Sequence, residues 1–405
     1  MVSRGLIAVA LFLFVVVVQA DEPQWLKDAR AREGKAAAAS EFKSKDSWLK
    51  AKVPAKAVGT IEKSEGSYSV ELDIGAPSPI YCEIVPDDFD MAEMLRQSAD
   101  STMTLLDAEQ GKIEIRQIES LDAGAYGSVP YLAVTWIYTA NTGKGPMAGG
   151  LKQIAMAKDG VGIYCAQGDL GFTKTFRAIA SALANTLETT TPVATPYYKE
   201  ISAMSLGAMK CGIAVTTLTR DEDGDTVARQ MTAMVMPGAG KTAVSQDAVH
   251  TEFINTDAEM YNAIHIVSSN GEIVTNLSLK PKDSEWIVVG DLQGKKVSVK
   301  LAKDSQPGTW VAQALAIRKI LAAPNAVGAE HSIPVWTAAD PAKLTDSKAK
   351  VLAKIDATHY HALGTAGPMT ADLTLDARSG MASGAEIRIG PQKVRVERVY
   401  VNGAF

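Results

Sequence analysis

The sequence predicts an α+β protein: an α/β sandwich domain followed by a larger domain built on a curved antiparallel β-sheet with packed helices. Three observations carry this expectation. Strands and two amphipathic helical stretches alternate between residues 57 and 190. A proline- and threonine-rich segment, Thr189 to Tyr197, then breaks the pattern. Beyond it, short alternating apolar–polar runs follow one another to the end of the chain.

The elements follow in chain order. Arg4 precedes thirteen unbroken apolar residues, Leu6 to Val18, and Val18-Gln19-Ala20 supplies small residues for a cleavage site. That layout predicts a secretory signal peptide over 1–20; the run is shorter than the ~20 residues of a bilayer span. The expected location is therefore exported, periplasmic or extracellular, with no transmembrane segment after cleavage. Residues 21–56 hold nine Lys/Arg against six Asp/Glu and are rich in alanine, and Trp25-Leu26 and Trp48-Leu49 bracket them. They are expected to form a basic helical or disordered arm.

The α/β sandwich domain spans 57–190. Ser69–Asp73 alternates as a half-buried strand, and Ile80 to Val85 is a second. Asp87 or Asp88 can cap a helix whose buried stripe is Met91, Met94, Leu95, Ala99 and Met103. Strands are expected at 112–118, 129–139, 151–157 and around Ile163-Tyr164-Cys165. Thr173 can cap a second helix with Phe176, Ile179, Ala180, Leu183 and Leu187 at helical spacing.

The β-rich domain spans 191–405. Strands are expected at 210–219, 226–236, 247–255, 261–268, 271–280, 285–290 and 295–302, with Gly290 to Lys295 turning a hairpin. Trp310, Ala314, Ile317 and Leu321 keep helical spacing, and Asp340-Pro341 is expected to start another short helix. The end returns to strands: Leu373/Leu375, Ile387/Ile389 and Val394/Val396 each share a face, and Val399-Tyr400-Val401 breaks the alternation, which predicts a bulge or a doubly buried end.

In this order of elements, residues 57–190 resemble a PsbP-like α/β sandwich, and the second half loosely resembles the curved sheets of periplasmic lipoprotein carriers. The first resemblance implies a binding or assembly role, and neither hands over functional residues.

Candidate sites are few. Cys82 and Cys165 fall on equivalent strands and are the candidate disulfide, which export would permit; Cys211 is then the odd cysteine. Pro237-Gly238-Ala239-Gly240-Lys241-Thr242 resembles the end of a phosphate loop, but Val235 stands where the first glycine belongs, and the segment reads as a hairpin turn. His359 and His361 share a strand face at a spacing metals can use, yet no carboxylate or cysteine completes a ligand set by spacing. No G-x-S-x-G appears; Ser383 in Gly380–Gly384 sits one place late. Phe253, Tyr261, Trp286, Trp310 and Trp336 are the candidate ligand-facing aromatics of a concave sheet.

The net charge of −5 argues against nucleic acid as a general partner, because phosphate binding needs a concentrated basic face. The reading is thus a non-enzymatic envelope module that binds or assembles an apolar small molecule or a protein partner, without cofactor or metal. The alternative is an envelope hydrolase using His359 or His361 with an acidic neighbour.

Overall fold

The computed structural model describes residues 24–404 apart from short stretches at 35–37, 88, 111–112, 143–144, 191–193, 239–242, 284, 303–304 and 390–391. The expected signal peptide and most of the phosphate-loop-like segment lie outside the described residues. Among the described residues, no helix is long and apolar enough to cross a membrane. The chain divides into two units. One runs to Val193 and takes in Met234–Ser245; the other comprises Ala194–Ala233 and Gln246 to the C-terminus.

The first unit is built on an eight-stranded antiparallel sheet. Its order is Lys56–Val58, Ser67–Asp73, Ile80–Val85, Val161–Gln167, Gly145–Lys158, Val129–Thr142 and Ile113–Tyr126, with Lys63–Ser64 pairing on Ser67–Asp73. The last three are longer than the apolar alternation alone predicts, because glycine- and polar-rich extensions continue the ladder. Helices α1 (Gln24–Ala31), α2 (Met91–Gln110) and α3 (Thr173–Thr186) accompany the sheet. On one face Leu72, Ile84, Ile154 and Ile163 pack with Phe176, Ile179 and Leu183 of α3. On the other, Tyr164 bonds Ser98 of α2. Both faces are covered, so Val161–Gln167 is buried at almost every position instead of alternating.

The arm expected over 21–56 is only partly an arm. Residues 24–31 are helical, but Leu49–Val53 is a strand, paired with Ser40–Lys43 on one side and Glu188–Thr189 on the other. Its Lys50 and Lys52 point to solvent while Leu49, Ala51 and Val53 enter the core. Two lysines in LKAKV disguised a strand as a basic tether. Trp48 stacks on Tyr68 with ring centroids 4.8 Å apart. The start of α3 differs as well. Phe172, not Thr173, is its N-cap residue, in the left-handed region and without a side-chain cap. The carboxylate of Glu33 takes over, accepting the Lys174 N–H at 2.8 Å and the Thr175 N–H at 3.2 Å.

The second unit holds a fourteen-stranded antiparallel meander. From Tyr198–Leu206 the strands step outward in chain order to Lys295–Lys300; on its other side Tyr198–Leu206 pairs with the C-terminal strand Gln392–Gly403, and the order runs back to Glu330–Trp336. The sheet curls until its two ends meet. Trp336, on one edge strand, packs with Leu277, Leu279, Trp286 and Val288 near the other edge. The connecting chain bridges the gap, for Leu301 N–H donates to Trp286 O at 2.9 Å and Gly308 N–H to Pro334 O at 2.7 Å.

Helix α4 (Trp310–Leu321) lies on the concave face, with Trp310, Val311 and Ala314 against Tyr198, Leu218, Ala228, Ile254 and Met381. Thr309 Oγ1 caps it, accepting the Ala312 N–H at 3.0 Å. Buried Glu252 accepts the Trp310 N–H at 3.1 Å, which places a carboxylate at the positive end of the helix. The helix expected after Asp340-Pro341 does not form: the Lys343 N–H closes a turn on Asp340 O, and the strand Leu344–Lys354 follows at once. The irregularity at the C-terminus is a bulge. Ile201 faces Tyr400 whereas Ser202 faces Arg398, so Val399 is the extra residue.

Candidate binding cleft in the curled sheet

A small cleft opens on the concave face of the second unit, with about 60 Å³ of room inside it. Glu200, Ser202, Thr216 and Gln230 give it one polar wall, while Ala214, Met381, Ala385, Ile387 and Val396 give it an apolar one. Strand periodicity positions the lining. Glu200 and Ser202 are two apart on one strand and lie directly opposite Thr216 and Ala214 on the next.

Beneath the cleft runs a buried ionic chain. Tyr198 Oη donates to Glu200 Oε2 at 2.7 Å. Arg398 Nη1 donates to the same oxygen at 3.3 Å, and its Nη2 donates to Asp376 Oδ2 at 2.6 Å. Arg378, from the solvent side, adds a fork onto Asp376 at 3.1 Å through each of Nε and Nη2. The turn carrying Asp376 is pressed onto α4. Gly380, in the left-handed region at φ +71°, donates its N–H to Asp376 O, and a Cβ there would stand 1.9 Å from Ala314 O.

Burial separates the two carboxylates. It pushes Glu200 above its ordinary value, against the pull of Tyr198 and Arg398. The same burial would raise Asp376, but the bonds from Arg378 and Arg398 outweigh it and hold that group at about 2. Burial and the neighbouring Glu200 together push the Tyr198 hydroxyl up, so it remains a donor.

No family model matches the chain. No curated protein matches it either. Among solved structures it is similar to a beta-barrel-like protein of a domain of unknown function, DUF1849, from Brucella abortus, at 12% identity and a TM-score of 0.38, over 52% of this chain and 98% of that one. It is also similar to a DUF1089 family protein from Pseudomonas aeruginosa, at 15% identity and a TM-score of 0.20, over 48% of this chain and 89% of that one. Neither is a PsbP-like protein, and the resemblance expected for residues 57–190 finds no support.

The residues singled out in the sequence lie elsewhere. Cys82 and Cys165 are joined by a disulfide across directly paired strands, their Cα atoms 4.1 Å apart. Cys211 is buried, and burial pushes its thiol up to about 11, far from a reactive thiolate. His359 and His361 do not converge on one carboxylate. His359 Nδ1 lies 3.0 Å from Asp356 Oδ2 and His361 Nε2 lies 3.5 Å from Asp372 Oδ1, with all four side chains partly exposed. Among the described residues no group of three potential ligands could hold a metal ion. The five aromatics do not share one face. Trp286, Trp310 and Trp336 are buried as core, while Tyr261 is exposed and pairs with Phe253 at 6.1 Å. None of the five lines the cleft.

Sequence reasoning missed the ionic chain, although a signal existed. Val394 and Val396 were placed on one buried face, and the next residue of that face is Arg398. A charge continuing an apolar stripe demands a buried partner.

Proposed function

We propose that the second unit is a non-enzymatic binding module that holds one small ligand, part apolar and part hydrogen-bonding, in the cleft, and that the chain works outside the cytoplasm. The single observation behind this is the lining: hydroxyls, an amide and a carboxylate face methyl-rich side chains across one concave space. Its room, about 60 Å³, suits one small chemical group and not a peptide segment. The partner is therefore read as a small molecule ahead of a protein. For the location, the apolar run Leu6–Val18 and the Cys82–Cys165 bond both favour an oxidising compartment.

Native mass spectrometry of protein purified from its own host tests the binding reading. The wild type should carry a ligand mass that an Ala214→Trp variant, with an indole filling the cleft, lacks. Identical masses in the two overturn the reading. Intact mass of the same material tests the location, with an N-terminus at Asp21 and an oxidised cysteine pair expected.

A further inference from the structure

Resting on that reading, we infer that the ligand of the cleft carries a cationic ammonium group, which docks on the free oxygen of Glu200. Three observations converge. Glu200 is only 6% exposed yet lines the cleft. Both bonds it accepts, from Tyr198 and from Arg398, end on Oε2; among the described residues no donor is bonded to Oε1. Solvent reaches Oε1 through the cleft, which leaves its lone pairs open to an incoming donor.

The charge count points the same way. Glu200 and Asp376 are two buried carboxylates, at 8% and 3% side-chain exposure, and they share one buried guanidinium, Arg398. Arg378, the second cation, is 68% exposed and touches only Asp376. With both carboxylates ionised the pocket floor carries one buried negative charge in excess, and burial of Glu200 without a second buried cation raises its carboxyl above the ordinary value. An ammonium with three donors fits one open carboxylate oxygen and the neighbouring Ser202 and Thr216 hydroxyls, while Ile387, Val396 and Met381 face the carbon chain behind it. A neutral hydroxyl would supply one donor and leave the charge unbalanced; an anion would be repelled.

Hexylamine, protonated at pH 7, and hexan-1-ol are the probes, titrated calorimetrically into the full chain. The wild type should bind hexylammonium at least ten-fold more tightly than hexanol. Glu200→Gln, which keeps the side-chain shape and an acceptor for Tyr198, should erase that preference and leave hexanol unchanged; Ala214→Trp should lose both probes. Equal affinity for the two in the wild type, or a preference that survives Glu200→Gln, overturns the inference. If equal affinity is lost in Ala214→Trp, the cleft reading stands alone; if neither probe binds the wild type, both fall.

A wild-type measurement guards against misfolding of Glu200→Gln. The charged or titratable groups facing Glu200 are Tyr198 on its own strand, Arg398 on the C-terminal strand and Asp376 beyond it; Thr216 and Gln230, from the next two strands, are neutral. Burial raises the Glu200 carboxyl above an ordinary glutamate while Asp376 is held low, so Glu200 is the first of them to take up a proton as pH falls. Hexylammonium affinity should fall as pH is lowered while hexanol affinity stays level. A level ammonium curve overturns the inference.

Discussion

Two buried polar networks, one in each unit, end in opposite ways. In the first unit, Trp136 Nε1 donates to Gln153 Oε1 at 2.7 Å, Gln153 Nε2 donates to Tyr164 Oη at 2.8 Å, and Tyr164 closes on Ser98 of α2. Beside this ladder, buried Lys152 directs its ammonium onto the carbonyls of Asp169 and Gly171. Every link ends on another protein group, and the result is a cross-brace between sheet and helix. In the second unit the chain from Arg378 through Asp376 and Arg398 stops at Glu200 with one oxygen facing a cleft. A polar network that closes on itself serves the architecture. One that stops at a cavity leaves an acceptor for something else, because an unpaired buried polar group otherwise counts against folding.

Substitutions should separate the two kinds of network. The largest effect is expected from Arg398→Met, which leaves Asp376 and Glu200 buried without their shared cation and should cost about 4 kcal/mol. Peptide-resolved hydrogen exchange should place the loss in strands of the second unit and leave the first protected. Gly380→Ala combines a left-handed backbone with a Cβ driven into the Ala314 carbonyl, and about 3 kcal/mol should be lost in denaturant unfolding. The same change at Gly294, where a Cβ meets nothing within 4 Å, should cost only about 1 kcal/mol.

Gln153→Leu breaks the closed ladder at its centre and should cost about 2 kcal/mol, confined to the first unit and without effect on probe binding in the cleft. An equal loss of cleft affinity would show that the two networks are not separate.

The remaining effects are in pH dependence. Burial lowers the Lys152 ammonium from 10.5 to about 8, so the folded state sheds that proton before the unfolded state does. Stability should therefore rise between about pH 8 and 10.5, and Lys152→Met should remove that rise. Asp376 has the opposite sense. Its folded value of about 2 lies below the unfolded 3.8, so its stabilisation is complete above the unfolded value and lost as pH falls toward 2. Acid titration of Asp376→Asn should lack that last loss while starting from a lower plateau at neutral pH.

How legible this was in the sequence varied with how local each signal is. Alternation in Ser69–Asp73 and the Trp310–Leu321 spacing are properties of neighbouring residues, and the strand and helix are where those patterns point. The strand Leu49–Val53 escaped because its exposed positions are lysines and its composition matched a tether. The cap of α3 escaped because Glu33 reaches it from 141 residues away, and no window along the chain contains both groups. The cleft was hidden for the same reason: its two carboxylates and its guanidinium sit at 200, 376 and 398, and only the pairing of Tyr198–Leu206 with the C-terminal strand brings Glu200 to Arg398.

The sequence by itself determined a strand-dominated chain and the places of α2, α3 and α4, since period-two and period-3.6 burial are written in adjacent side chains. Which tryptophans fill the core, which carboxylate stays half-bonded and where an open space remains were decided by the curl of the fourteen-stranded sheet. Closure brings residues far apart in the chain onto one concave face, and whether a polar atom there finds a partner depends on that geometry and on no local pattern.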